Sequence, residues 1–567
     1  MEQKPWLKHY DPGIPYTLVP YPEVTFLDIV SETIKQRPKH RALLFKGTTI
    51  SYSMLEQESN ELAAALVAQG VEKGDRVALL LPNCPQTVIG QFGIWKAGAI
   101  TVLMNPLYTE DELEQLLNEC GAEIVIVLTS FYNKLKSIQP HTKVHHVIAT
   151  NIKEYLPPAT RLLFTLVKEK KEGYRITLKP GDMWLQKLLR QHAGSGRPNI
   201  KINPGDPAML LFSGGTTGTP KAAIGTHKAL VTSAMQLHTW FSGILKDWDD
   251  VVMQVLPLFH VYGNAAVLGT ALIGHNPMAL IPNPRDQKDL ITTMRKVHPA
   301  FLSAVPTLFI ALINNNDVRA GKVDFKSMKL CTSGAAPLLA ETKKNFEALT
   351  GCRLLDGYGL TESMMGAVIQ PVNGVHKAGS VGLPITDIEV RIVDMETGLK
   401  EMPVMETGEI IMKASQLMQG YWERPTETAE TIRNGWLYTG DIGYMDEDGY
   451  LFISARKKDM IKSGSGFQIW PREIEEVIAE MSVVSEVCAA GVPDPSYGET
   501  LKVWIVFRQG QQCSADDIQD FCRKKLAAYK VPRMVEFCES LPKSMVGKVL
   551  RRVLVEEHKA KQLQAQK

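Results

Sequence analysis

Residues 211–223, "LFSGGTTGTPKAA", set hydroxyls on Ser213, Thr216, Thr217 and Thr219 and a charge on Lys221 among the glycines Gly214, Gly215 and Gly218. Glycines let backbone N–H groups turn toward an anion, and hydroxyls with a lysine add donors and charge, so this run could hold phosphate. It is not the phosphate loop of P-loop NTPases, which needs a lysine followed by serine or threonine and a helix starting at once. Here Lys221 stands between Pro220 and Ala222, and the next helical pattern, "HKALVTSAMQL", begins only at residue 227. The spacing predicts a phosphate-holding loop between two strands.

Other reactive side chains recur far along the chain: His260 in "LPLFHVYG", Glu362 in "DGYGLTE", Asp441 in "GWLYTGDIG", Arg456 in "ARKKDMI" and Lys548 in "PKSMVGKVLRR". Taken singly, each has an ordinary explanation. A lone histidine is more often a satisfied core residue, a Thr-Glu pair a helix start, and a lysine beside arginines a solvated face. Taken together with "SGGTTGTPK" and "SGAAPL" (333–338), they make seven motifs in one order over residues 213–552. That series resembles the adenylate-forming superfamily of acyl-CoA synthetases, luciferases and peptide-synthetase adenylation domains. The N-terminal "PWLKHYDPGIPY" and the overall spacing are most similar to bacterial long-chain fatty acid–CoA ligases.

The resemblance implies a reaction in two halves. A carboxylate attacks the α-phosphate of ATP, giving acyl-adenylate and pyrophosphate, and the thiol of coenzyme A then displaces AMP. By the resemblance, Ser213, Gly214, Gly215, Thr216, Thr217, Gly218, Thr219 and Lys221 hold the phosphates with Thr361, and Thr217 and Glu362 hold Mg2+. Gly334, Ala335 and Ala336 approach the adenine edge. Tyr358 offers its face to the ring from within Asp356, Gly357 and Gly359. Asp441 accepts from the ribose hydroxyls and Arg456 reaches the same ribose. Lys548 is the catalyst of adenylation, and His260 positions groups at the carboxylate end of the acyl pocket. The implied hinge is Lys458, about which a small domain turns to withdraw Lys548 and bring Lys462, Gly464 and Gly466 to the thiol path. Two departures stand out: "KSGSG" is one residue longer than the usual glycine loop, and Ala455 replaces a glycine. Rival expectations are a ligase for a medium-chain or aryl acid, transfer to a carrier protein, and a binding protein with lapsed catalysis. Retention of Lys221, Glu362, Asp441, Arg456 and Lys548 together speaks against the last.

Positioning such groups takes an α/β scaffold, and the first two hundred residues have its grammar. "SMLEQESNELAAALVAQG" (53–70) has helical spacing ending at glycine, "RVALLLP" (76–82) is a buried-strand run, and helix–glycine–strand patterns follow at 87–104 and 112–128. Such alternation predicts parallel sheets flanked by helices. "GNAAVLGTALIG" (263–274) is small and apolar, suited to line a tunnel for an alkyl chain. Near residue 455 the character changes, and "PREIEEVIAEM", "EVCAAGVPD", "LKVWIVFRQ" and "ADDIQDFCRKKL" predict a small α+β domain of helix, strand, strand and helix. The expected division is residues 1–455 for a large AMP- and acyl-binding domain and 456–567 for a mobile lid, with the hinge about 456–460.

Composition sets limits. The 567 residues carry a formal charge of +2, which excludes a nucleic-acid partner as the expectation. Eight cysteines without C-x-x-C spacing read as reduced thiols of a cytoplasmic enzyme. The charged N-terminus lacks the apolar core of a signal peptide. Residues 153–174, "KEYLPPATRLLFTLVKEKKEGY", are expected to be a surface excursion packed on their own domain, with peripheral contact to an anionic membrane as the alternative. A homodimer is left open.

Overall fold

The computed structural model describes residues 4–213, 220–462, 468–494, 498–544 and 547–565. Gly214, Gly215, Thr216, Thr217, Gly218, Thr219, Gly464 and Gly466 lie outside the described residues, as do the side chains of Lys458 and Lys462.

Local chemistry sets the first elements. Helix Tyr52–Ala68 starts where the Ser51 side chain accepts the Met54 N–H, and the chain leaves it through Gly70 at φ +89°. Helix Glu110–Cys120 is opened by a reciprocal cap between Thr109 and Glu112 and closed by left-handed Gly121. Between them, helix Pro85–Lys96 packs so closely on Tyr52–Ala68 that a Cβ on Gly93 would lie 2.8 Å from Leu62.

Among the described residues, a seven-stranded sheet runs Met183–Trp184, His146–Thr150, Ile124–Leu128, Arg76–Leu80, Ile100–Leu103, Pro207–Ser213 and Lys221–Thr226. It is parallel except for the antiparallel last pair. Both faces are buried: Val77 and Leu79 enter the main core, whereas Ala78 and Leu80 enter a second core under the helices Glu110–Cys120 and Thr129–Ile138. This explains why the strands read as continuous apolar runs.

The nine-stranded sheet is assembled from distant segments. Six parallel strands, Arg41–Phe45, Met278–Leu280, Val252–Gln254, Phe301–Ala304, Leu330–Ser333 and Leu354–Leu360, lie side by side in that order. A third, antiparallel sheet holds Glu389–Val393, Gly408–Lys413, Trp436–Met445, Ile432–Arg433 and Leu451–Arg456, and its register sets Asp441 opposite Arg456.

In sequence, the main core ends at Leu451 and a separate core begins at Ile461. The latter packs Ile469, Ile474, Val503 and Ile518 between the helices Pro471–Ala479 and Ala515–Lys525 and the sheet of Val484–Asp494, Gly498–Phe507 and Met534–Phe537. The basic tail forms helix Arg551–Ala565. Leu554 and His558 are buried in it and Arg551 is half-buried, whereas Arg552, Glu556, Glu557, Lys559 and Lys561 are exposed.

The excursion at 153–174 forms two continuous helical turns, Pro158–Leu163 and Phe164–Lys168. It packs on its own domain through one side only: Phe164 meets Tyr174 edge-on and Glu169 is buried, while Leu162, Leu163, Leu166 and Val167 face outward.

Candidate active site

In parallel α/β sheets, ligand-binding residues collect beyond the carboxyl ends of the strands. Several predicted residues gather there on the nine-stranded sheet. Gly334, Ala335 and Ala336 follow strand Leu330–Ser333, Thr361 and Glu362 follow strand Leu354–Leu360, and His260 follows strand Val252–Gln254. Ser213 ends its strand opposite Lys221, so the 214–219 run joins two antiparallel strands, as its spacing predicts.

Backbone strain marks two of these turns. Ala335 holds φ +67° and Met364 and Met365 hold φ +47° and +120°, a conformation that L residues seldom adopt. Gly334 has little choice of residue, since a Cβ there would stand 3.0 Å from the Tyr262 ring. The turn after Leu360 is closed by Ser363, whose hydroxyl accepts the Leu360 N–H at 3.0 Å and donates to the Met365 carbonyl at 2.6 Å. That turn presents Thr361 and Glu362 side by side.

Tyr421, a residue that sequence reasoning missed, ties two predicted groups together. Its hydroxyl donates to Glu362 Oε1 at 2.8 Å, and Lys221 Nζ lies 5.2 Å from its ring centroid. Hydrogen bonds to charged groups are worth about 1.5–3 kcal/mol. Tyr421→Phe, which keeps the ring under Lys221, is therefore expected to lower kcat/KM for ATP–pyrophosphate exchange about tenfold or somewhat more, with the thermal midpoint nearly unchanged. Tyr421→Leu, which also removes the cation–π contact, should lose more; equal rates for both variants and the parent would show that the hydroxyl positions nothing.

Asp441 is buried. Its Oδ2 accepts the Tyr358 hydroxyl at 2.7 Å, and its Oδ1 lies 3.0 Å from Arg456 Nε. Asp356, in the same region, accepts the Gly357 N–H at 3.0 Å, and burial pushes its carboxyl up to about 7. Gly359 is held against the Met365 carbonyl, where a Cβ would be 2.2 Å away. Gly357 lies within the same strand.

The small unit reaches this place through Lys548. A tight turn closes with Gly547 N–H on Ser544 O and Ser544 N–H on Lys548 O. Gly547, at φ +70°, rests on the large domain, where a Cβ would come 2.8 Å from Thr307 Oγ1. Burial, then the Arg456 charge, pushes the Lys548 ammonium down to about 8, against the pull of Asp441 and Asp459. Three residues on, Arg551 binds Glu475 through two hydrogen bonds of 2.6 and 2.8 Å and Asp459 at 3.2 Å. Lys548 also acts on His260, whose imidazole burial and then that charge push down to about 4. His260 is thus neutral near pH 7. Its Nδ1 accepts the Tyr262 N–H at 3.2 Å, which leaves the proton on Nε2.

The wall beside His260 is a π-helical turn, Tyr262–Leu268, running into helix Gly269–Ile273, and both are buried through Leu272. Gly263 sits where a Cβ would meet the Pro257 carbonyl at 2.2 Å.

Two sheet-bearing layers with acidic and hydroxyl groups at strand ends, and a small unit delivering a lysine to them, define an adenylate-forming fold. The chain belongs to the AMP-binding enzyme family: the AMP-binding enzyme model matches residues 30–422 and the AMP-binding enzyme C-terminal domain model matches residues 473–548. It is 38% identical to a long-chain-fatty-acid–CoA ligase of Bacillus subtilis (strain 168), over 98% of each chain. Among solved structures it is similar to the anthranilate CoA ligase AuaEII in complex with anthranoyl-AMP, at 26% identity and TM-score 0.84, over 96% of this chain and 99% of that one. It is similar, too, to ATP-bound MatB from Rhodopseudomonas palustris, at 27% identity and TM-score 0.81, over 94% of this chain and 99% of that one.

Proposed function

We propose that this chain activates a long-chain fatty acid with ATP, forming acyl-adenylate and pyrophosphate, and then transfers the acyl group to coenzyme A with release of AMP. The observation that carries this conclusion is the relationship to a long-chain-fatty-acid–CoA ligase at 38% identity over nearly the whole of both chains.

In this proposal Lys548 stabilises the charge that develops between carboxylate and α-phosphate, an effect strongest where water is excluded. Asp441 accepts the ribose hydroxyls with the lone pairs left over from Tyr358 and Arg456, and Arg456 reaches the same sugar. Tyr358 and residues 334–336 flank the adenine, and Ser213 and Lys221 stand at the two ends of the phosphate run. Glu362 suits a hard cation: Tyr421 occupies Oε1, whereas Oε2 accepts no hydrogen bond from the described residues. Mg2+ held there, with Thr217 from the phosphate run, would neutralise phosphate charge. Among the described residues no group of three ligating side chains is assembled, so the nucleotide and water would complete the coordination.

His260, neutral and with its proton on Nε2, serves as a hydrogen-bond donor that orients the acid. The buried turn at 262–272 forms a wall of the alkyl site, where each methylene removed from water contributes about 0.8 kcal/mol. We place the pivot of the small domain at Lys458, within 456–460, and the thiol path along Lys462, Gly464 and Gly466.

The test is pyrophosphate release with coenzyme A present, across acids from acetate to palmitate. Palmitate should give the highest kcat/KM. A preference for acetate or coumarate would overturn the chain length, and the absence of release with every acid would overturn the reaction itself.

A further inference from the structure

We propose that the helical excursion 158–168 docks this protein on an anionic phospholipid bilayer. Leu162, Leu163, Leu166 and Val167 are 62%, 60%, 75% and 58% exposed. Their spacing, i, i+1, i+4 and i+5, places them on one face of a continuous helical stretch. Four large aliphatic side chains left together in water are a cost that a surface helix ordinarily avoids, and a contiguous bare patch of this sort marks an interaction site.

The patch is not a failure of packing. The same stretch turns Phe164 inward against Tyr174, at 5.3 Å between ring centroids. Just beyond it, Glu169 is buried, bound by Lys153 at 2.5 Å and by Asn151 at 3.2 Å. The Tyr174 and Arg175 N–H groups donate to the Glu169 carbonyl. One side of the excursion is fastened, and the apolar side is thereby held out. It belongs to a long connection, residues 151–182, between strands His146–Thr150 and Met183–Trp184 at the edge of the seven-stranded sheet.

Charge selects the occupant. Residues 153–175 hold six basic and three acidic residues. Lys168, Lys170, Lys171 and Arg175 are exposed just beyond the apolar face, and Lys170 and Lys171 enter no ion pair among the described residues. Aliphatic residues flanked by lysines and arginines suit the boundary between acyl chains and negative headgroups, where long cationic side chains reach phosphate while the leucines enter the hydrocarbon. A second exposed group, Leu399, Val404 and Met405, makes the contrast: its neighbours are Glu396, Glu401 and Glu406 with one lysine, Lys400, so it lacks the charge for such a surface. Among the described residues no helix is long and apolar enough to cross a membrane, so the contact is peripheral.

The experiment is flotation of the full chain with vesicles of phosphatidylcholine alone or mixed with phosphatidylglycerol. The protein should bind the mixed vesicles about tenfold more tightly or better, with the difference lost in high salt. Leu163→Glu with Leu166→Glu should lower binding to mixed vesicles at least about tenfold. Lys170→Glu with Lys171→Glu should remove most of the preference for the anionic lipid. Thermal unfolding checks that each variant folds, and the readout is independent of any acid or nucleotide, so its failure is separate from failure of the proposed reaction. Parent protein that does not float, or a leucine pair whose loss leaves flotation unchanged, would overturn the proposal. So would a leucine variant that turns a dimer into a monomer, by analytical ultracentrifugation, without changing vesicle binding; the face would then be a contact between two copies.

Discussion

Lys548→Ala is expected to slow adenylate formation by about 10²–10³-fold, the usual loss when one preorganised charge-stabilising donor is removed. Conversion of supplied acyl-adenylate to thioester should stay within a few-fold of the parent, because in the proposed reaction the second half does not use this side chain. The pH profile adds a signature that simple misfolding cannot imitate. The ammonium is pushed down to about 8, so it is charged below that pH and neutral above it. The kcat/KM for ATP in pyrophosphate exchange should therefore be flat from neutrality to about pH 8 and fall beyond it, as expected for an essential acid of the free enzyme. Lys548→Arg, which stays protonated throughout, should abolish that falling limb even though the rate itself is lower. Equal loss of both half-reactions in Lys548→Ala would defeat the assignment of this lysine to the first half alone.

Asp441→Ala should behave in the opposite way and depress both halves. The carboxylate is buried, accepts a hydrogen bond from Tyr358 and forms an ion pair with Arg456. Its removal leaves a guanidinium and a phenol without their acceptor, a change that costs about 3–5 kcal/mol for a buried pair, less here because Arg456 is partly exposed. A loss of about 10²-fold in kcat/KM for ATP, and a comparable loss in thioester formation from supplied adenylate, is expected, since the proposed role of Asp441 is to hold the ribose in both steps. Asp441→Asn, which keeps one acceptor oxygen, should recover part of each. A variant impaired only in pyrophosphate exchange would show that Asp441 serves the first half alone.

Much of this was legible from the chain. The strands and helices of residues 52–128 announce themselves through caps, glycine stops and apolar runs, because those signals act within a few residues of one another. The small unit was legible for the same reason, and its four expected elements all form. The order of the large sheet was not: Arg41–Phe45 lies beside Met278–Leu280, and nothing local records a partner more than two hundred residues away. The antiparallel sheet of residues 389–456 carries no helix–strand alternation, so its strands have no local signal of the kind that marks residues 52–128. Within the site, motif residues were visible by type and order, whereas Tyr421 was not. An aromatic 59 residues from Glu362 becomes informative only when the fold brings its hydroxyl to the carboxylate. Ser363 and the strained methionines after it escaped for a related reason, as left-handed backbone is signalled in sequence by glycine, and here there is none.

The grip of Arg551 on Glu475 and Asp459 has a consequence for timing. Asp459 adjoins the proposed pivot and Arg551 follows Lys548 by three residues, so the cation is geared to the axle. In the proposed rotation, as long as that clasp holds, the lysine would not slip away on its own; it would leave only when the whole body revolves. Such a coupling would work as a turnstile, admitting the sulfur nucleophile of the proposed reaction only after the cationic arm has swung clear, and would make the sequence of events a property of the linkage between two loops instead of the affinity of either ligand.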